Sequence, residues 1–344
     1  MADLVRVLVV DDSAYVRKVV SQMLGRSPFI DVVGTARDGE EALEMASALD
    51  PNVITCDLNM PIMDGVAFVR TQMARKAIPI VIISIAAASG EQVLAALDAG
   101  AVDFVQKPTA LATERLMDIA DELVEKVKAA AAAPRRSFTP PLPVPAPLPL
   151  TRRATTAVDI VVMGISTGGP QGLKVVVPQL PADLPVPVAL VMHMPIGYTE
   201  LYAQKLNEQT PLRVVEAGEG QVVEAGTVFI APAGRHLSFV KSGDKVLTHL
   251  DLRPLDTPHR PSVDALFQSA AEVYGERVLG VVMTGMGSDG RDGSAWIKAR
   301  GGCILTEAEE SCVVYGMPRS VVEAGLSDAI VPLNRMARAI MERI

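Results

Sequence analysis

The sequence predicts two doubly wound α/β domains, each a parallel sheet flanked by helices, joined by a proline-rich tether. Three observations carry this prediction. Short apolar runs alternate with amphipathic stretches in both halves of the chain, which is the pattern of repeated strand–helix units. The 344 residues exceed what one hydrophobic core usually supports. A proline-dense segment separates the halves.

In the first half the strand candidates are "VRVLVV" (5–10), "DVVGT" (31–35), "NVIT" (52–55), "IPIVIIS" (78–84) and "VDFVQK" (102–107). Helical patterns lie between them. In "SAYVRKVVSQML", Val16, Val19, Val20, Met23 and Leu24 fall on one face at helical spacing. Five strands with intervening helices predict a parallel sheet covered on both sides. Residues 126–156 break the pattern. The stretch from Lys126 to Val158 holds seven prolines and six basic residues and no acid. Clustered proline favours extended geometry, so a semi-stiff tether is expected. The expected division is residues 1–125, a linker over 126–156, and residues 157–344. After the tether, "DIVVMGI", "PVALVMH", "GTVFIAP", "VLGVVMTG" and "GCILT" repeat the strand logic, with a longer insertion around 234–262.

Net charge is −8, which disfavours nucleic acid and anionic membranes as partners. Three cysteines, Cys56, Cys303 and Cys312, share no metal-ligand spacing and fit a reducing compartment. No apolar run approaches the roughly 20 residues that span a bilayer. The chain enters an apparent strand at once, "MADLVRVLVV", leaving no room for a signal peptide. A cytoplasmic protein without membrane insertion is the expectation.

In an open parallel sheet the carboxyl ends of the strands converge on one crevice. In the first half, Asp11 and Asp12 end the first strand, Asp57 the third, Ser84 the fourth and Lys107 the fifth. Three converging carboxylates repel one another and call for a hard divalent cation such as Mg²⁺. A lysine and a hydroxyl beside them suit the oxygens of a transferred phosphoryl group.

In the second half, "GISTGGP" (164–170) satisfies two patterns: the G-x-S-x-G nucleophile elbow and a glycine-rich phosphate turn. A dinucleotide fingerprint needs glycine at 166, where serine stands, and an acid ending the second strand, where His193 stands. The strand ends therefore favour chemistry at the serine. Ser166 needs a base, His193 can supply it, and Asp289 in "MTGMGSDG" can orient the imidazole. Of the other histidines, His249 lies in a polar stretch, and His236 and His259 fall in the insertion, where structural or substrate-facing roles are expected. A helix starting just after Ser166 favours developing negative charge, and "GMGSDG" can turn N–H groups toward an oxyanion. His193 precedes Asp289, the reverse of the α/β-hydrolase order, so a serine hydrolase on a different doubly wound fold is expected.

With these residues in view, about 4–125 resembles the response-regulator receiver family through "VLVVDDS", "DLNMPIMDG", "IIS" and "AGAVDFVQKP". The resemblance implies Asp57 as phospho-acceptor and Mg²⁺ held by Asp11, Asp12, Asp57 and the backbone of Asn59. It also implies Ser84 and Lys107 on the phosphoryl oxygens, Phe104 as the aromatic switch residue, and a cis bond at Lys107–Pro108. Ile85 stands where members more often carry a small residue. Residues 157–340 are similar to the catalytic domain of chemotaxis protein-glutamate methylesterases. The supporting stretches are "GISTGGP", "HMPIGYT", "GTVFIAPAGRHL", "RPSVDALFQSAA", "VVMTGMGSDGRDG" and "SCVVYGMPR". This resemblance implies a phosphorylation-activated hydrolase acting on glutamyl methyl esters of methyl-accepting chemotaxis receptors, with deamidation in some members. It implies Ser166 as nucleophile, His193 as base, Asp289 as orienting acid, Met286 as a backbone oxyanion donor and Thr167 as a neighbour that places the serine. It further implies a histidine kinase as phosphodonor, a receiver that gates the cleft, and no cofactor for the ester step. Glu307 stands where glutamine is common.

Overall fold

The structure is a computed structural model that describes residues 4–85, 90–107, 119–133 and 158–344. These fall into two compact units, one within residues 1–140 and one within 141–344.

The first unit is a five-stranded parallel sheet of β1 (Val5–Val10), β2 (Ile30–Ala36), β3 (Val53–Cys56), β4 (Ile80–Ile85) and β5 (Asp103–Lys107), in the order β2-β1-β3-β4-β5. The described helices are α1 (Ala14–Leu24), α2 (Gly39–Leu49), α3 (Gly65–Arg75), α4 (Gly90–Asp98) and α5 (Ala120–Ala132). The first three start on side-chain caps, Ser13, Asp38 and Asp64, each accepting a backbone N–H from its own first turn. On α1, Val19, Val20, Met23 and Leu24 are buried, and Val16 is half-buried. The register Val10↔Cys56 brings Asp11 and Asp57, each one residue on, to the same sheet edge. One difference from the sequence reading lies at the tether. Residues 126–132 continue α5, because Lys, Val and Ala are acceptable helix formers and Val127 and Ala130 find buried positions. Pro108, and hence the expected cis bond, and the Ile85 side chain lie outside the described residues.

The second unit is a seven-stranded parallel sheet. It contains β6 (Ile160–Ile165), β7 (Val188–Met192), β8 (Arg213–Glu216), β9 (Thr227–Ile230), β12 (Val278–Val282), β13 (Cys303–Glu307) and β14 (Ala329–Val331), in the order β14-β13-β12-β6-β7-β9-β8. An antiparallel hairpin, β10 (His236–Ser242) and β11 (Lys245–Asp251), occupies much of the predicted insertion. The helices are α6 (Gly169–Val176), α7 (Thr199–Asn207), α8 (Val263–Tyr274), α9 (Arg291–Ala299), α10 (Met317–Glu323) and α11 (Leu333–Met341). Every residue of β6, β7 and β12 is buried, as expected of central strands covered on both faces. Val263, Leu266, Phe267 and Ala270 of α8 join Ile160, Val162, Ala189, Val191 and Val282 of the sheet in one apolar cluster.

Candidate active site

In the first unit, Lys107 Nζ donates to Asp11 Oδ2 at 2.6 Å and to Asp57 Oδ1 at 2.8 Å. All three are buried, and Asp12 is exposed beside them. Burial raises the Asp11 pKa despite the lysine. Burial would lower that of Lys107, but the two carboxylates together raise it and keep the ammonium charged. Asp57 Oδ2 accepts the Asn59 N–H at 3.2 Å. Ser84 is buried on β4 next to β5, and Phe104 is buried with Lys126 Nζ 5.7 Å from its ring centre. Asp11, Asp12 and Asp57 offer oxygens within 4.8 Å of one another, so the donor set fits a hard divalent cation.

In the second unit, the register Ile165↔Met192 carries Ser166 and His193 to neighbouring strand ends, and the His193 N–H donates to the Ile165 carbonyl at 3.3 Å. Ser166 leads into α6 through Gly168, whose φ of +79° suits glycine. Its N–H donates to the Thr284 carbonyl at 3.0 Å. A Cβ on Gly285 would stand 2.8 Å from Ser166 Cβ, so only glycine lets this turn close on the serine.

His193 Nε2 lies 2.8 Å from Asp289 Oδ2. Its Nδ1 is buried and without a hydrogen bond, which leaves one ring nitrogen open for proton transfer. The His259 ring stacks on the imidazole with centroids 4.0 Å apart. Asp289 sits at the start of α8. It accepts from Ser262 Oγ at 2.9 Å, from Val263 N–H at 2.8 Å and from Asp264 N–H at 2.9 Å. Burial alone would raise its pKa. The contact with His193 and the backbone donors outweigh burial and hold the carboxyl well below the ordinary carboxylate range. Asp264 fastens the same turn, accepting from Gly290 N–H at 2.9 Å and Gly293 N–H at 2.6 Å. Burial, aided by Asp289, raises its pKa.

Met286 is half-buried two residues beyond Thr284. Thr167 is buried, and its carbonyl accepts from Thr284 Oγ1 at 2.9 Å. Glu307 is buried behind Thr284. His236 is structural: Nδ1 accepts the Ser262 N–H and Nε2 faces the Pro254 carbonyl, while burial lowers its pKa. His249 is exposed in part and pairs with Glu219. The sequence reading missed Ser262, Asp264 and Thr284, and it placed His259 in the insertion without its stacking on His193. Of these only Ser262 had a local signal, as a helix cap after "RP".

The fold and its two strand-end clusters define a class: a receiver-type unit carried in one chain with an α/β unit that has the polar equipment of a serine hydrolase. Comparison with known proteins gives the particular family. Residues 161–340 match the CheB methylesterase family, and residues 7–121 match the response regulator receiver domain. A protein-glutamate methylesterase/protein-glutamine glutaminase 5 of Myxococcus xanthus is 48% identical over 99% of this chain and 98% of its own length. A protein-glutamate methylesterase/protein-glutamine glutaminase of Halalkalibacterium halodurans is 41% identical over 100% and 99%. The crystal structure of the Thermotoga maritima CheB methylesterase catalytic domain aligns with a TM-score of 0.53 and 40% identity, covering 54% of this chain and 99% of that one. The chain belongs to the CheB methylesterase family and carries that family's enzyme domain behind a response-regulator receiver.

Proposed function

We propose that Ser166, His193 and Asp289 form a catalytic triad that removes methyl esters from glutamate side chains of methyl-accepting chemotaxis receptors. The observation that carries this reading is the 2.8 Å contact of His193 with a charged Asp289, at the strand end next to Ser166. Ser166 Oγ attacks the ester carbonyl and gives its proton to the His193 nitrogen that Asp289 does not hold. His193 then protonates the departing methoxide, releasing methanol, and draws a proton from the water that cleaves the acyl-enzyme. The same sequence on a glutamine releases ammonia. The Met286 N–H and the N-terminus of α6 supply donors for the oxyanion, and Thr167 helps place the nucleophile.

Asp57 is the phospho-acceptor for a histidine kinase of the cytoplasm. Asp11, Asp12, Asp57 and the Asn59 carbonyl would hold Mg²⁺, which neutralises charge on the incoming phosphoryl group. Ser84 and Lys107 bind its oxygens. The new charge biases a two-state equilibrium that opens the esterase site, with Phe104 as the side chain that responds. A phosphonate probe built on a glutamyl methyl ester tests the nucleophile. Peptide mass spectrometry is expected to find its adduct on Ser166, and an adduct at another residue would overturn the assignment.

A further inference from the structure

Glu307 closes β13 with its carboxyl fully buried. Its Oε2 accepts the Thr284 N–H at 2.9 Å, and its Oε1 lies 3.0 Å from Ser311 Oγ. Among the described residues no cation acts on it. Thr284 follows β12, Ser311 and Cys312 follow β13, and the Cys312 thiol is the titratable group beside it among the described residues. Burial pushes that thiol's pKa up as well, so it stays neutral.

Thr284 joins Glu307 to the candidate nucleophile. Its carbonyl accepts the Ser166 N–H at 3.0 Å. Its hydroxyl donates to the Thr167 carbonyl at 2.9 Å and accepts the Val314 N–H at 3.0 Å. A continuous run of hydrogen bonds therefore leads from a buried carboxyl to the backbone of the serine turn.

The neighbours of Ser311 suit a protonated Glu307. Ser311 Oγ accepts the Leu333 N–H at 3.0 Å and lies 3.1 Å from the Ala308 carbonyl. A hydroxyl has one proton and two lone pairs. If Oε1 carries a proton and gives it to Ser311, Ser311 can donate to Ala308 and every member is satisfied. A carboxylate would instead stand as a buried charge with three neutral donors, the Thr284 N–H, Ser311 Oγ and the Cys312 thiol, and no counter-ion among the described residues. Burial raises the Glu307 pKa to about 7, in line with that geometry.

We propose that Glu307 is a positioning residue for Ser166: as a neutral acid it holds the Thr284 turn in its reactive arrangement, and on ionising it slows ester hydrolysis. The inference rests on Ser166 being the nucleophile. A negative charge one hydrogen bond behind Thr284 pulls on the turn that anchors Ser166. It also opposes the oxyanion that forms beside the serine, in surroundings that screen poorly.

Glu307→Gln keeps the acceptor for Thr284 and supplies an N–H for Ser311, so it mimics the neutral acid at every pH. The test is methanol release from methylated chemoreceptor membranes by the full-length chain with excess phosphodonor, from pH 6 to pH 8.5. The ratio of the Glu307→Gln rate to the unmodified rate cancels titrations that both proteins share. It is expected to be about 1 at pH 6 and above about 5 at pH 8.5. A second readout is the Thr284 amide resonance of full-length Ser166→Ala protein, expected to shift with a midpoint near that of Glu307 and not to shift when Glu307→Gln is added. A ratio that stays flat with pH, or a Thr284 resonance that does not titrate between pH 5 and pH 9, overturns the proposal. If Glu307→Gln does not fold, the resonance in the Glu307 chain decides alone. Methanol release by Ser166→Ala would remove the nucleophile reading and leave the Thr284 titration intact, so the two failures are distinguishable.

Discussion

The turn around Asp289 and the pocket around Glu307 both hold a buried carboxyl near Ser166, and they move the pKa values of those carboxyls in opposite directions. Asp289 receives four contacts, from His193, Ser262 Oγ and the N–H groups of Val263 and Asp264. Two of those N–H groups belong to the first turn of α8, where the helix dipole favours negative charge. Its pKa falls although burial works against it. Glu307 meets the Thr284 N–H, Ser311 Oγ and the Cys312 thiol, and burial outweighs all three and raises its pKa. The first unit shows a third solution, in which one ammonium bridges Asp11 and Asp57. Burial therefore does not set the charge of a carboxyl; the number and kind of donors that meet it do.

The largest effect is expected at Asp289. Asp289→Asn keeps the shape and removes the charge, and is expected to lower methanol release by about 10³- to 10⁴-fold with the fold retained by circular dichroism. A loss below tenfold would mean that the charge is not what Asp289 contributes. Next is Lys107→Met, which leaves two buried carboxylates without their cation. Urea unfolding at pH 7 is expected to show a loss of about 3 kcal/mol, shrinking toward pH 4 as Asp11, whose pKa burial raises, takes up a proton. An equal loss at both pH values would argue for lost packing instead.

Glu307→Gln sharpens the other side. The folded pKa of Glu307 lies above its unfolded value, so the folded state holds the proton more tightly and loses stability as pH rises from about 4.5 through 7. The variant is spared this loss. It should melt with the unmodified chain near pH 4.5 and above it at pH 8, by an amount equivalent to at most about 3 kcal/mol. Coincident melting at pH 8 would place a charged Glu307 in a site that stabilises it. The smallest expected effect is Ser262→Ala, which removes a helix cap and one of the Asp289 donors. It should cost about 1 kcal/mol in thermal melting and leave most of the activity.

Much of this was legible in the sequence for a definite reason. Polar residues directly after apolar strands are local signals, and parallel pairing converts them into neighbours, which is how Ser166 with His193 and Asp11 with Asp57 could be read. Other features depend on contacts that no local pattern carries. Ser262 reaches Asp289 only because α8 packs against the turn before α9, and Thr284 meets Glu307 across two strands. The edge strands β8 and β14 have four and three residues and are partly exposed, too short for periodicity to mark. The hairpin inside the 234–262 insertion was not read from the sequence, because both of its strands carry polar residues, among them Lys241, Ser242, Lys245 and Asp251.

The most direct test of the account compares three full-length proteins on methylated chemoreceptor membranes, with and without a small phosphodonor, by methanol release. The unmodified chain is expected to accelerate with phosphodonor, Asp57→Asn to stay at its basal rate, and Ser166→Ala to release no methanol in either condition. Methanol release by Ser166→Ala, or an undiminished phosphodonor response in Asp57→Asn, would contradict it.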